Sequence, residues 1–116
     1  MIMVQPYIPD RGDIVWLNFT PQSGHEQMGN RPAIVLSPKQ YNSKTGLAIF
    51  CPITSNKKGY PFEVVIPEKL KISGVILSDQ IKSLDWKART AQFVDRVPES
   101  VTKECSLKLK ALLIIN

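Results

Sequence analysis

Apolar residues fall in short runs along this chain, separated by prolines, glycines and polar clusters, and most runs have the length and composition of strands. Residues 13–19 mix β-branched and aromatic side chains behind the turn-like Pro9-Asp10-Arg11-Gly12, which predicts a first strand. A second is expected over residues 32–37. A third covers residues 47–51 and ends at Pro52-Ile53-Thr54, with both faces apolar. Residues 62–66 and 74–78 make a fourth and a fifth. A sixth falls between residues 91 and 97, with a short piece near residues 81–83. Residues 40–46 read as a polar connection with room for one helical turn, and residues 55–59 as a loop.

Only the tail has a helical period. Pro98 suits a first helical turn, Glu99 lies where the macrodipole favours an acid, and Lys108 and Lys110 lie toward the other end. Val101, Cys105, Leu109 and Leu112 form one apolar stripe; Leu107, Leu113 and Ile114 fall beside it. That extra width suits a deeply set helix or one that touches a partner. Short strands with one terminal helix predict a mostly β fold, a small SH3-like β-barrel closed by a C-terminal helix.

The chain's 116 residues are expected to form one domain, residues 1–116, with a core that needs no staples. Its longest apolar stretch, residues 111–115, is far below the ~20 residues that cross a bilayer. Residues 1–10 lack a basic n-region and an apolar h-region, so no secretion signal is expected, and a cytoplasmic location follows. Cys51 and Cys105 stand apart and read as small buried hydrophobes in a reducing compartment. With His25 as the only histidine, neither a metal site nor a cofactor is expected.

Charge narrows the function. The net charge of +5 arises wholly between residues 27 and 62, where Arg31, Lys39, Lys44, Lys57 and Lys58 meet no acid. Such a block attracts polyanions, nucleic acid foremost, although five charges also suit a merely solvated face. At its start a polar loop carries a potential proton acceptor, Glu26, and a permanently charged donor, Arg31. Pro32 then pushes Arg31 toward extended backbone and leads into the apolar residues 33–36, so Arg31 stands at the mouth of a rigid strand. A plain Glu26–Arg31 surface ion pair is the alternative.

Several blocks together resemble one family. They are residues 9–16, Gly24-His25-Glu26-Gln27 with Arg31-Pro32, Pro52-Ile53-Thr54, residues 59–65, and Ser78-Asp79-Gln80 with Trp86-Lys87-Ala88-Arg89. In this order they are similar to the MazF/PemK toxins over residues 7–113, and closer to the MazF branch. Some PemK-like members carry a catalytic Arg two positions before the Asp of the Asp-Gln segment, where this chain has Leu77. A mechanism built on that Arg does not transfer.

The resemblance implies the toxin of a type II toxin–antitoxin pair. Such toxins are sequence-specific endoribonucleases that cut single-stranded RNA without a metal, leaving a 2′,3′-cyclic phosphate and a 5′-hydroxyl. It also implies a homodimer of the plasmid-maintenance-toxin fold and a cognate, acidic, MazE-like antitoxin. That reaction requires a base for the 2′-hydroxyl, a cation for the phosphate and an acid for the leaving 5′-oxygen. Glu26 fits the base, Arg31 the phosphate clamp, and Thr54 a phosphate-holding hydroxyl; the family ties the matching positions to catalysis. His25 and Arg31 are both open as the acid.

His25, Gln27, Lys57, Lys58 and Gln80 are the RNA-contact candidates. Each has a plainer reading: His25 bonding loop backbone, Thr54 capping a turn, Asp79-Gln80 as a buried hydrogen-bonded knot, the lysines as solvated charges. Trp16 and Trp86 read as core or dimer-contact residues before base-stacking platforms. The competing function is a non-catalytic toxin of the same barrel that binds a protein such as DNA gyrase, which would not need the 24–31 loop together with Thr54.

Overall fold

The computed structural model describes residues 6–19 and 29–114. Seven antiparallel strands follow in the order β1 (Asp13–Asn18), β2 (Asn30–Val35), β3 (Leu47–Thr54), β4 (Glu63–Val65), β5 (Val75–Leu77), β6 (Lys82–Asp85) and β7 (Gln92–Arg96). Helix α1 (Lys39–Thr45) joins β2 to β3, and α2 (Glu99–Leu113) closes the described chain. Across the sheet the order is β4-β5-β3-β2-β1-β7, with β6 also on β3. Strand β3 therefore serves two neighbours on one edge: Leu47 to Phe50 pair with β6, and Ile53 and Thr54 pair with β5. That change of partner bends the sheet into the small barrel-like form the strand pattern predicts. A bulge in the β1–β7 pairing between Ile14 and Val15 adds curvature.

The inner strands lack polar alternation because both of their faces are covered. Ile14, Ile34, Cys51 and Ile53 join Val64, Ile76, Val101 and Cys105 in one cluster, under α2. Val15, Leu17, Ala33, Val35, Ala48 and Phe50 form the second, with Trp86 packed against it. Both cysteines are free and buried, and burial raises both thiols, Cys105 to about 12. They act as neutral packing groups.

Buried polar groups are paired where strand ends meet. Asp13 accepts hydrogen bonds from the Tyr7 hydroxyl (2.6 Å), the Asp10 amide (3.0 Å) and Arg96 (2.6 Å). Fully buried Asn42 donates to the Pro9 and Ser37 carbonyls at 2.7 and 3.0 Å. The single turn expected between β2 and β3 is thus a seven-residue helix, closed by Gly46 in the left-handed region (φ 74°). The α2 stripe holds only in part. Val101 and Cys105 are buried, but Leu112 is 38% exposed, and Leu107, Leu113 and Ile114 are exposed to larger extents; Leu109, Leu113 and Ile114 line an open hollow with Leu36, Ile49 and Ile81. Pro98 precedes the helix as its cap and does not fill its first turn.

Candidate active site

Arg31 and Thr54 come together through strand register. β2 and β3 pair Ala33 with Pro52, Ile34 with Cys51 and Val35 with Phe50. Continued two residues toward the open end, that register sets Arg31 opposite Thr54. Both line one hollow of about 300 Å³, with Trp16 from β1 and Lys71 and Ser73 from the β4–β5 connection. β2 begins earlier than its apolar run suggests. Asn30 and Arg31 pair with Asn18 and Leu17 of β1, so Arg31 lies inside a strand and not before one. Pairing with Leu17 of β1 fixes its Cα, a better support for a charged clamp than a loop tip.

Thr54 also borders a second hollow of about 310 Å³, lined by Asn56, Lys58, Tyr60, Glu63, Leu77, Asp79 and Gln80. Its hydroxyl oxygen accepts the Asn56 amide at 3.1 Å, so Thr54 does cap the turn after β3. The hydroxyl proton is still able to donate. Among the described residues the buried side-chain oxygen of Gln80 has no hydrogen-bond partner. Asp79 is exposed on the turn after β5, at the wall of this hollow, so it does not form the buried knot of its plainer reading. Lys58 reaches over the Tyr60 ring at 5.9 Å, while Lys57 lies exposed on the same loop outside both hollows. His25, Glu26 and Gln27 lie outside the described residues.

Three kinds of support for this site rest on residues given no site role in the sequence reading: anchors of the basic loop, a tie on the Lys71 loop and a close backbone approach. Glu63, 7% exposed, accepts the Lys58 and Gly59 amides at 3.0 and 2.9 Å and thereby shapes the basic loop. Lys108 of α2 donates to the Pro61 and Glu63 carbonyls at 2.6 and 3.0 Å, and the Ser78 hydroxyl donates to the Phe62 carbonyl. On the other side Asp95 accepts the Lys71 amide at 2.9 Å, which together with the Arg96 amide lowers its pKa and ties down the loop carrying Lys71. Gly74 is the third. A Cβ there would stand 2.3 Å from the Thr54 carbonyl oxygen.

A charge-assisted hydrogen bond contributes roughly 1.5–3 kcal/mol, so Glu63→Ala is expected to lower stability in urea unfolding and loosen the 55–61 loop to proteolysis. Glu63→Gln keeps one acceptor and is expected to fall between the two. Equal stability of all three proteins would remove Glu63 as the loop's anchor.

The acid-free charge block divides in space. Lys39 and Lys44 ride on α1, reached from the far end of β2, whereas Arg31, Lys57 and Lys58 belong to elements around Thr54. Lys71, beyond the block in sequence, adds a cation at the Arg31 hollow. Among the described residues no three His, Cys, Asp or Glu come together as a metal-holding group, and no helix is long and apolar enough to cross a membrane.

Known proteins match this arrangement over nearly its whole length. The profile described as PemK-like, MazF-like toxin of type II toxin-antitoxin system matches residues 10–113. The endoribonuclease toxin MazF of Escherichia coli strain K12 is 53% identical over 89 residues, 77% of this chain and 79% of that protein. The crystal structure of MazF from Deinococcus radiodurans superposes with a TM-score of 0.90 at 56% identity, covering 93% of this chain and 98% of that one. A MazE–MazF crystal structure from the same organism gives 0.84 at 49% identity, over 96% and 100% of the two chains. On this agreement of profile, sequence and fold, the chain belongs to the PemK-like, MazF-like toxins of type II toxin–antitoxin systems.

Proposed function

We infer that this toxin is an endoribonuclease that cuts single-stranded RNA by attack of a ribose 2′-hydroxyl on its own 3′-phosphate. The shared hollow of Arg31 and Thr54 carries the reading, because it sets a permanent cation beside a hydroxyl donor where a phosphate would gain charge. Names of the similar proteins support it too: MazF, PemK and ChpB of Escherichia coli are all called endoribonucleases. In this scheme Arg31 clamps two phosphate oxygens and Thr54 donates to one of them. Glu26 removes the 2′-proton, and His25 or Arg31 protonates the leaving 5′-oxygen. Since the nucleophile belongs to the substrate, the scheme needs no metal to make one.

Lys57 and Lys58 position the backbone, His25 and Gln27 contact the strand from the first loop, and Gln80, on the wall of the second hollow, contacts a base. An antitoxin partner follows from the family, and the MazE–MazF complexes of a similar toxin support a MazE-like one. The cations around Thr54 favour an acidic segment in it. Exposed Leu107, Leu113 and Ile114 support a homodimer.

Purified protein mixed with labelled single-stranded RNA in EDTA is expected to give discrete fragments with 2′,3′-cyclic phosphate and 5′-hydroxyl ends. The equivalent DNA strand should stay whole. Intact RNA together with blocked gyrase supercoiling would instead identify the protein-binding toxin.

A further inference from the structure

Trp16 does not take the core role, one of the two (core or dimer contact) that the sequence suggests for it. It sits on β1 between Pro32 of β2 and Gln92 of β7, held by pairing on both sides, yet it is 38% exposed. Its place in the Arg31 hollow puts an aromatic group beside two cations, Arg31 and Lys71, and the hydroxyls of Thr54, Ser55 and Ser73. Among the described residues no acid lines that hollow. The other tryptophan differs: Trp86 is half-buried against the second cluster, and its Nε1 donates to the Asn42 carbonyl at 3.0 Å.

A rigid aromatic flanked by cations and hydroxyls, without acids, is the combination that holds single-stranded nucleic acid, with the ring stacking on a base and the charges on its phosphates. About 300 Å³ lies at the small end of ligand sites, enough for one nucleotide unit. We propose that this hollow is a nucleotide subsite next to the scissile phosphate, in which Trp16 stacks on a base and Lys71 contacts a phosphate. The proposal rests on the RNA-cleaving reading and extends it to two residues that carry none of the chemistry. It also explains why Asp95 pins the Lys71 backbone, because a loop that receives a strand gains from being ordered beforehand.

The test uses the intact protein and an RNA strand with one 2′-deoxy nucleotide at the cut, so that binding is read without cleavage. Wild-type fluorescence minus that of Trp16→Phe isolates Trp16, and this difference signal is expected to change saturably with the strand. In cleavage assays Trp16→Ala should raise KM about 5- to 150-fold, the span of one base–aromatic stack, with kcat changing less. Trp16→Phe, which still stacks, should remain within about threefold of wild type. Lys71→Ala should lower the salt slope of binding by about 0.7, one single-strand phosphate contact.

A difference signal that ignores RNA, or that follows protein concentration alone, would overturn the subsite, as would Trp16→Ala cleaving with wild-type KM. Should Trp16→Ala fail to fold, the fluorescence difference decides. A wild-type protein that binds the strand through Trp16 yet never cuts all-RNA would sink the nuclease reading and leave the subsite standing.

Discussion

Arg31→Ala is expected to lower kcat by about 10²- to 10³-fold, the loss typical when one donor to a developing oxyanion is removed. Arg31 is an exposed strand residue at the sheet's open end, where even a lost surface pair costs about 1 kcal/mol or less, so the protein should stay folded. Arg31→Lys separates charge from shape. An ammonium restores the cation but not two parallel hydrogen bonds to one phosphate, so it should recover only part of the rate. Single-turnover cleavage beside thermal unfolding reads both effects. An Arg31→Ala protein that cleaves at the wild-type rate would remove the clamp from the scheme, while one that loses activity by unfolding would make Arg31 structural.

Gly74→Ala is expected to be the most destabilising exchange near the site, at roughly 3 kcal/mol or more. The backbone there has φ +123°, and the added Cβ would lie 2.3 Å from the Thr54 carbonyl oxygen and 2.9 Å from its carbonyl carbon. Both are backbone atoms, so no side-chain swing relieves the contact, and β3 must move from β5 exactly where Thr54 pairs with Val75. Gly46→Ala is the control. It has φ +74° but nothing within 4 Å of the added Cβ, so only the left-handed strain of about 1 kcal/mol remains. Urea unfolding of both variants measures the gap. Any folded Gly74→Ala protein should also lose kcat, since a small misplacement of a phosphate donor costs about 100-fold. Equal costs for the two glycines would contradict the packing account.

The strands were legible because their signal is local: β-branched and aromatic runs between prolines and glycines, apolar on both faces where the sheet is covered on both faces. Arg31 and Thr54 stood out as motif residues, but their juxtaposition depends on β2–β3 register, which a single chain does not display. Glu63 looked like one polar position in an apolar strand, and only the fold of the 55–61 loop turns it into that loop's anchor. Lys71 and Gly74 gain their roles from the β4–β5 excursion that returns to β3, a contact with no periodic trace.

Exposure was the least legible property of the chain. The exposure of Trp16 and the outward turn of Asp79 depend on what covers a residue, and periodicity reports only which face it occupies. The tail of α2 likewise has the correct helical period while its apolar residues stay exposed.

The most direct measurement concerns the substrate's own nucleophile. A single 2′-deoxy substitution at the cut nucleotide of an otherwise all-RNA strand should abolish cleavage at that bond while the strand still binds. Continued cleavage there would mean that some other nucleophile attacks the phosphate, and the roles given to Glu26, Arg31 and Thr54 would fall together.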